Sequence, residues 1–102
     1  MYRIIVTEPA EYDLINIEIY IRQALRTPEA AIRTVNVIIN TLETLYEMPE
    51  RQPLVNDELL AGLGIRLIQA NNYNIFYEID GEEIYIIRIL YNRSDWQHII
   101  SE

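Results

Sequence analysis

The segment that decides the fold is residues 64–96, which read GIRLIQANNYNIFYEIDGEEIYIIRILYNRSDW. Side-chain character alternates through most of this segment, and a period of two residues is typical of β-strands. The pair Asp80-Gly81 is a strong signal for a tight hairpin turn, and Asn71-Asn72 marks an earlier turn. These signals predict three strands, Gly64–Ala70, Tyr73–Ile79 and Glu83–Tyr91.

Two helices are predicted upstream of these strands. Thr7 and Thr27 are suitable N-cap residues, and each is followed by a proline, Pro9 or Pro28, in the first helical turn, where the missing N–H costs nothing. Apolar residues then recur every three or four positions, first to about residue 25 and again from residue 28 to about residue 47. The short link between the helices predicts an antiparallel helical hairpin.

The rest of the chain completes the predicted topology. Residues 2–6 form a short strand, and residues 49–63 form an irregular connector with one helical turn at Asn56–Leu60. Residues 95–101 form a short tail. The order β-α-α-β-β-β within a single domain, residues 1–102, predicts an α+β fold, in which a helical hairpin packs on one face of a small, mostly antiparallel sheet.

The composition argues against several kinds of site. The chain has 16 acidic and 8 basic residues and a net charge of −8, so strong direct nucleic-acid binding is not expected. The absence of cysteine and the single histidine, His98, argue against a metal site, and no cofactor is expected. No apolar run is long enough to span a membrane, and the cytoplasm is the expected location.

The predicted hairpin has two apolar faces, because its two-residue turn pairs odd positions of one strand with even positions of the next. The face expected to meet the helices carries Tyr73, Ile75, Tyr77, Ile79, Ile84, Ile86 and Leu90. The opposite face carries Phe76, Tyr85, Ile87, Ile89 and Tyr91. This second face is too apolar for open water. Two covers are possible: the chain's own tail, through Trp96, Ile99 and Ile100, or a segment of a partner protein.

Arg88 is the most unusual charge in the sequence, since it lies inside an apolar strand. In this register it is on the helix-facing side, where an unpaired charge is costly. Two roles are open. Arg88 either forms an ion pair with a helix acid such as Asp13 or Glu18, or it lines a target-binding cleft.

Arg66 and Arg93 are further candidate contact residues. Arg66 begins a strand and either pairs with Glu78 or Asp80 across the sheet or contacts another protein. Arg93 lies among aromatic residues, and an arginine in such surroundings is typical of interface hot spots.

Five short motifs follow one another in a fixed order. They are Thr7-x-x-Ala10-x-x-Asp13-Leu14-x-x-Ile17-x-x-Tyr20-Ile21, Leu45-x-x-Met48-Pro49, Gly64-Ile65-Arg66, Asn72-Tyr73-x-Ile75-x-Tyr77 and Ile87-Arg88-Ile89-Leu90-Tyr91-x-Arg93-x-Asp95-Trp96. In this order the chain resembles the RelE/ParE superfamily, the toxins of bacterial type II toxin–antitoxin pairs. Within that superfamily it is most similar to the ParE-like, plasmid-stabilisation branch.

The resemblance implies a cognate antitoxin whose C-terminal segment wraps the toxin and neutralises it. ParE-like members bind and poison DNA gyrase without catalytic residues of their own, and this is the leading hypothesis. RelE-like members cleave messenger RNA in the ribosome, which is the alternative, and a non-toxic protein-interaction module is the third possibility. An acidic chain is unusual for this superfamily, in which basic surfaces predominate.

One position argues against the nuclease alternative. Asn74 lies where the resemblance places a key arginine of the nucleases, and an amide cannot stabilise developing phosphate charge. If the chain is a nuclease, Arg93 and His98 are its catalytic residues, with His98 as acid or base; otherwise His98 is a solvated tail residue. The residues expected to contact the target or the antitoxin are Arg66, Phe76, Tyr85, Ile87, Arg88, Tyr91, Arg93 and Trp96.

Overall fold

The computed structural model describes residues 1–101 and has the predicted α+β architecture. Four strands form one sheet in the order β1-β4-β3-β2, in which β1 runs parallel to β4 and the other pairs are antiparallel. Two long helices pack together and cover one face of this sheet. In chain order the elements are β1 (Arg3–Val6), α1 (Glu8–Leu25), α2 (Pro28–Glu43), α3 (Glu58–Gly62), β2 (Arg66–Ala70), β3 (Tyr73–Asp80), β4 (Glu83–Tyr91) and α4 (Trp96–Ser101).

The two long helices begin where the sequence predicts. Thr7 and Thr27 occupy the N-cap positions in extended conformations, and a proline follows each in the first turn. Neither threonine caps its helix through its side chain. The Thr7 hydroxyl instead donates a hydrogen bond to the carbonyl oxygen of Ile86 (2.7 Å), which ties the start of α1 to β4.

Several boundaries differ from the sequence prediction. Helix α2 ends at Glu43, and a 3₁₀ turn at Thr44–Tyr46 continues it. The predicted helical turn lies two residues later, at α3, because Asp57 caps it by accepting the backbone N–H of Leu60 (3.0 Å). Strand β2 starts at Arg66, since Gly64 adopts a left-handed conformation (φ +84°) that extended strand excludes. The predicted tail contains the short helix α4.

A β-bulge in the β3–β4 hairpin overturns part of the predicted register. The predicted pairing of odd with even positions holds as far as Tyr77–Ile86, but the register then shifts, and Phe76 lies opposite Arg88. An extra residue in one strand sends the following side chains to the opposite face. Ile89 therefore packs against the helices, whereas Leu90 packs on the other face, the reverse of the prediction.

Each face of the sheet has its own apolar cluster. The buried cluster against the helices comprises Ala10, Ile17, Ile21, Ala31, Ile38, Leu42, Leu45, Ala70, Ile75, Tyr77, Ile84, Ile86 and Ile89. The buried residues of the second cluster are Val55, Leu60, Ile65, Phe76 and Leu90. The chain's own tail covers this second cluster, because the partly buried Trp96, Ile99 and Ile100 pack against it. None of the helices in residues 1–101 has the length and hydropathy needed to cross a membrane.

Tyr77 anchors the connector to the core. Its ring is fully buried, and its hydroxyl donates a hydrogen bond to the carbonyl oxygen of Pro49 (2.6 Å). Burial raises the pKa of Tyr77 to about 12. In the unfolded chain a tyrosine ionises near pH 10, so between pH 10 and 12 the unfolded state loses this proton first. The stabilising contribution present below pH 10 is therefore lost as the pH rises towards 12.

We expect Tyr77→Phe to lower the free energy of unfolding at pH 7 by about 1–3 kcal/mol, because the buried Pro49 carbonyl loses its donor. The variant should also lose less stability than the wild type between pH 10 and 12. Urea denaturation at a series of pH values measures both effects. Tyr46→Phe, at an exposed position, is the control and should follow the wild type. Equal alkaline slopes for wild type and Tyr77→Phe would contradict this account.

Candidate protein-interaction site

The candidate site lies along the margin of β4 that β1 leaves uncovered. Strand β1 pairs with β4 only from Glu83 to Ile86, so within residues 1–101 the following part of that margin has no strand beside it. The start of α1 occupies this position instead. The backbone N–H of Thr7 donates to Ile86 O (3.1 Å), and the Thr7 hydroxyl also reaches Ile87 O (3.2 Å).

Asp13 of α1 makes the next contacts along this margin of β4. Its Oδ2 accepts hydrogen bonds from the backbone N–H of Ile89 (2.9 Å) and from Nε of Arg88 (2.8 Å). Its Oδ1 accepts a third from Nη2 of Arg88 (2.9 Å). The Asp13 side chain is 10% exposed and that of Arg88 is 28% exposed. The hydrogen bonds that Arg88 donates to Asp13 are the main cause that raises the pKa of Arg88, so the guanidinium stays charged.

The predicted ion pair between Arg88 and Asp13 is confirmed, but the predicted strand register around Arg88 is wrong. Because of the bulge, Arg88 lies opposite Phe76, and its side chain reaches Asp13 of α1 at the uncovered margin of β4. The hydrogen bond that the backbone N–H of Ile89 donates to Asp13 is not apparent from the sequence. The available signal is that an acid lies between Ala10 and Ile17, on the buried stripe of the helix.

A groove separates α1 from this margin of β4, and we refer to it as the α1–β4 groove. It has a volume of about 560 Å³. Its floor contains the buried Ile17 and Ile89, and its rim carries three tyrosines, Tyr20, Tyr73 and Tyr91. Tyr20 and Tyr91 are 68% and 46% exposed. This is an apolar, largely aromatic surface of the kind that other molecules contact.

The Tyr73 and Tyr91 rings pack edge to face, with centroids 5.9 Å apart and an interplanar angle of 71°. Tyr20 and Tyr73 were not predicted from the sequence to be site residues. They come from different elements, and no local pattern indicates that they meet. Tyr91 was a candidate, but the bulge places it on the helix side, opposite Tyr73.

Arg66 has a structural role with different partners from those predicted. Its Nη1 donates to the carbonyl oxygens of Gln52 (2.6 Å) and Glu50 (3.2 Å), so it holds the connector against β2. The expected pairing with Glu78 or Asp80 is therefore wrong. A charged donor satisfies two backbone acceptors here, which fixes the connector more firmly than a surface ion pair would.

The other candidates from the second face differ in accessibility. Phe76 is fully buried beneath Trp96, with ring centroids 5.1 Å apart. Tyr85 and Ile87 are half-buried, and the Tyr85 hydroxyl donates to Glu83 Oε1 (3.1 Å). In this conformation Phe76 offers no surface to another protein.

The residues of the nuclease alternative are placed at the C-terminal end. Arg93 is exposed beyond the end of β4, and His98 is exposed on α4 with Nδ1 3.7 Å from the Asp95 carboxylate. Asn74 is buried in β3 opposite Leu90. Among residues 1–101, no three His, Asp or Glu side chains cluster as metal ligands would.

We expect Asp13→Ala to destabilise the protein more than Arg88→Ala. Breaking a buried ion pair from either side costs about 2–4 kcal/mol at this partial exposure. Asp13→Ala also removes the acceptor of the Ile89 N–H, which adds about 1 kcal/mol or more. Chemical denaturation at pH 7 measures the two losses.

The exposed pair between Glu18 and Arg22 (3.2 Å) on the same helix provides the control. Arg22→Ala should cost less than about 1 kcal/mol. Losses from Asp13→Ala and Arg88→Ala as small as that of the control would show that the pair does not hold α1 to β4.

Comparisons with known proteins agree with the architecture. Residues 4–96 match the family described as the ParE toxin of type II toxin-antitoxin system, parDE. A search among curated proteins found no match. One similar solved structure is titled "Chromosomal ParDE TA system from P. aeruginosa". Its TM-score with this chain is 0.75, the sequence identity is 24%, and the match covers 89% of this chain and 96% of that chain. At this identity the likeness shows the shared fold. Since the family match extends over most of its length, the chain belongs to the ParE toxin family of type II toxin–antitoxin systems.

Proposed function

We propose that the chain is a toxin that binds and poisons DNA gyrase and that a cognate antitoxin neutralises it. The family match over residues 4–96 is the observation that carries this proposal. Such a toxin acts in the cytoplasm, where gyrase is, and a toxin–antitoxin pair of this kind serves plasmid stabilisation.

The arginines of the sheet favour binding over RNA cleavage. Cleavage of a phosphodiester needs positive charge that is free to face the reacting phosphate. Arg66 donates to two backbone carbonyls, and Arg88 is bound in bidentate fashion by Asp13. Asn74 is a buried amide. Both internal arginines are thus engaged in holding the fold together, which supports a role without catalysis.

Of the eight contact residues expected from the sequence, we propose Tyr91 and Arg93. Both are exposed, and they lie two residues apart where β4 leads into the tail. Arginine and tyrosine are both enriched at interface hot spots. We assign Arg93 to the contact with gyrase and the α1–β4 groove, with Tyr91, to the antitoxin.

Expression of the chain without an antitoxin should stop growth and induce a DNA-damage response. The purified protein should inhibit gyrase-catalysed supercoiling or trap cleaved DNA on gyrase. Arg93→Ala should weaken this inhibition about tenfold, as expected for a hot-spot side chain. Arg33→Ala, an exposed arginine on α2, is the matched control and should inhibit like the wild type.

Growth arrest with intact DNA and cleaved transcripts would contradict the proposal and favour the RelE-like alternative. In that case Arg93→Ala/His98→Ala should abolish cleavage. Harmless overexpression of a folded protein would instead favour a non-toxic interaction module.

A further inference from the structure

The three tyrosines of the α1–β4 groove come together from three separate elements. Tyr20 is on α1, Tyr73 begins β3, and Tyr91 ends β4. All three line the same groove, and the last two are in edge-to-face contact. Burial, followed by the proximity of Tyr20 and Tyr91, raises the pKa of Tyr73. Tyr73 is therefore close to both of the other tyrosines.

An arrangement of several aromatic rings around an open cavity is suited to a cation. The faces of aromatic rings carry negative potential, and a guanidinium or ammonium group within about 6 Å of a ring centroid is attracted to them. The one carboxylate that lines the groove, Asp13, is already neutralised by Arg88. The local attraction would therefore come from the rings.

The charge of the whole chain favours the same kind of ligand. The net charge is −8, which is expected to steer a positively charged partner towards the chain. Glu8 and Glu11 in the first turn of α1 are exposed, and no ion pair within residues 1–101 includes either of them. Glu8 lines a neighbouring hollow that shares Asp13 and Asn16 with the groove. A neutral or acidic segment would gain nothing from this field.

We propose that the α1–β4 groove binds an arginine or lysine side chain from a basic segment of the antitoxin, with the cation held between Tyr20, Tyr73 and Tyr91. This inference rests on the proposed function, because it requires that an antitoxin exists. It adds the chemistry of that partner: the segment that covers this toxin is basic, in keeping with the acidic surface that it meets.

The first test is the affinity of the full-length antitoxin for toxin variants, measured by isothermal titration calorimetry. Tyr20→Leu and Tyr91→Leu should each weaken binding about tenfold, because they remove a ring face. Tyr20→Phe and Tyr91→Phe should stay within about twofold of the wild type, since phenylalanine keeps the face. Tyr46→Leu, an exposed tyrosine outside the groove, is the control and should leave affinity unchanged.

The pattern of losses separates the possible causes. Losses in the phenylalanine variants as large as in the leucine variants would mean that the hydroxyls bind the partner, and would overturn the proposal. Unchanged affinity in both leucine variants would overturn it as well. In either case, growth arrest by the chain and its neutralisation by the antitoxin would leave the proposed function intact.

The second test does not depend on the antitoxin. The peptides acetyl-Leu-Arg-Leu-amide and acetyl-Leu-citrulline-Leu-amide have nearly the same shape but differ in charge. In an NMR titration at low salt, the arginine peptide should shift the ring signals of Tyr20 and Tyr91 with an affinity several-fold higher than the citrulline peptide. Added salt should reduce this difference. Equal affinities for the two peptides would rule out a cation site, even if the chain proved non-toxic.

Discussion

The carboxylate of Asp13 is the group on which the rest of this structure depends. Strand β1 is shorter than β4 and pairs with it only from Glu83 to Ile86. Beyond Ile86, the backbone of β4 lies beside helix α1, whose own backbone groups cannot serve as hydrogen-bond partners for a strand. The side chain of Asp13 supplies a hydrogen-bond acceptor that a longer β1 would have supplied from its backbone. Asp13 accepts the N–H of Ile89 and holds the guanidinium of Arg88 with both oxygens. Because these residues are about seventy-five positions apart in the chain, this contact fixes α1 against the sheet.

The same contact explains why a groove exists at this place. A continuing β1 would pair with the margin of β4 and fill the space beside Tyr91. Instead α1 is held to β4 at Asp13, and the α1–β4 groove lies between the helix and the strand further along. Tyr20, almost two helical turns beyond Asp13, lines that groove together with Tyr73 and Tyr91. The structural ion pair and the interaction surface are thus two consequences of the same short first strand.

Much of this architecture could be predicted from the sequence, because turn and cap signals are local. Asp80-Gly81 and the two threonine–proline helix starts fix the element order, and the costly charge of Arg88 points to a helix acid. The bulge could not be predicted, because apolar residues occupy both faces of β4 around Ile87, and the one charge among them, Arg88, was expected to pair with a helix acid in the unshifted register as well. Helix α4 likewise owes its position to the contact between Trp96 and Phe76, which periodicity does not reveal. The groove could not be predicted from the sequence, because its three tyrosines come together only in the tertiary structure.

In our proposal a partner protein binds this family member along the open margin of β4 and not on the face beneath the tail. Amide hydrogen exchange of the toxin, alone and in complex with its antitoxin, tests this most directly. Binding along this margin should slow exchange in the half of α1 near Tyr20 and at the end of β4, while exchange in α4 stays unchanged. Protection of α4 and of the strands around Phe76, with no change along α1, would instead place the partner on the other face and rule out binding in the α1–β4 groove.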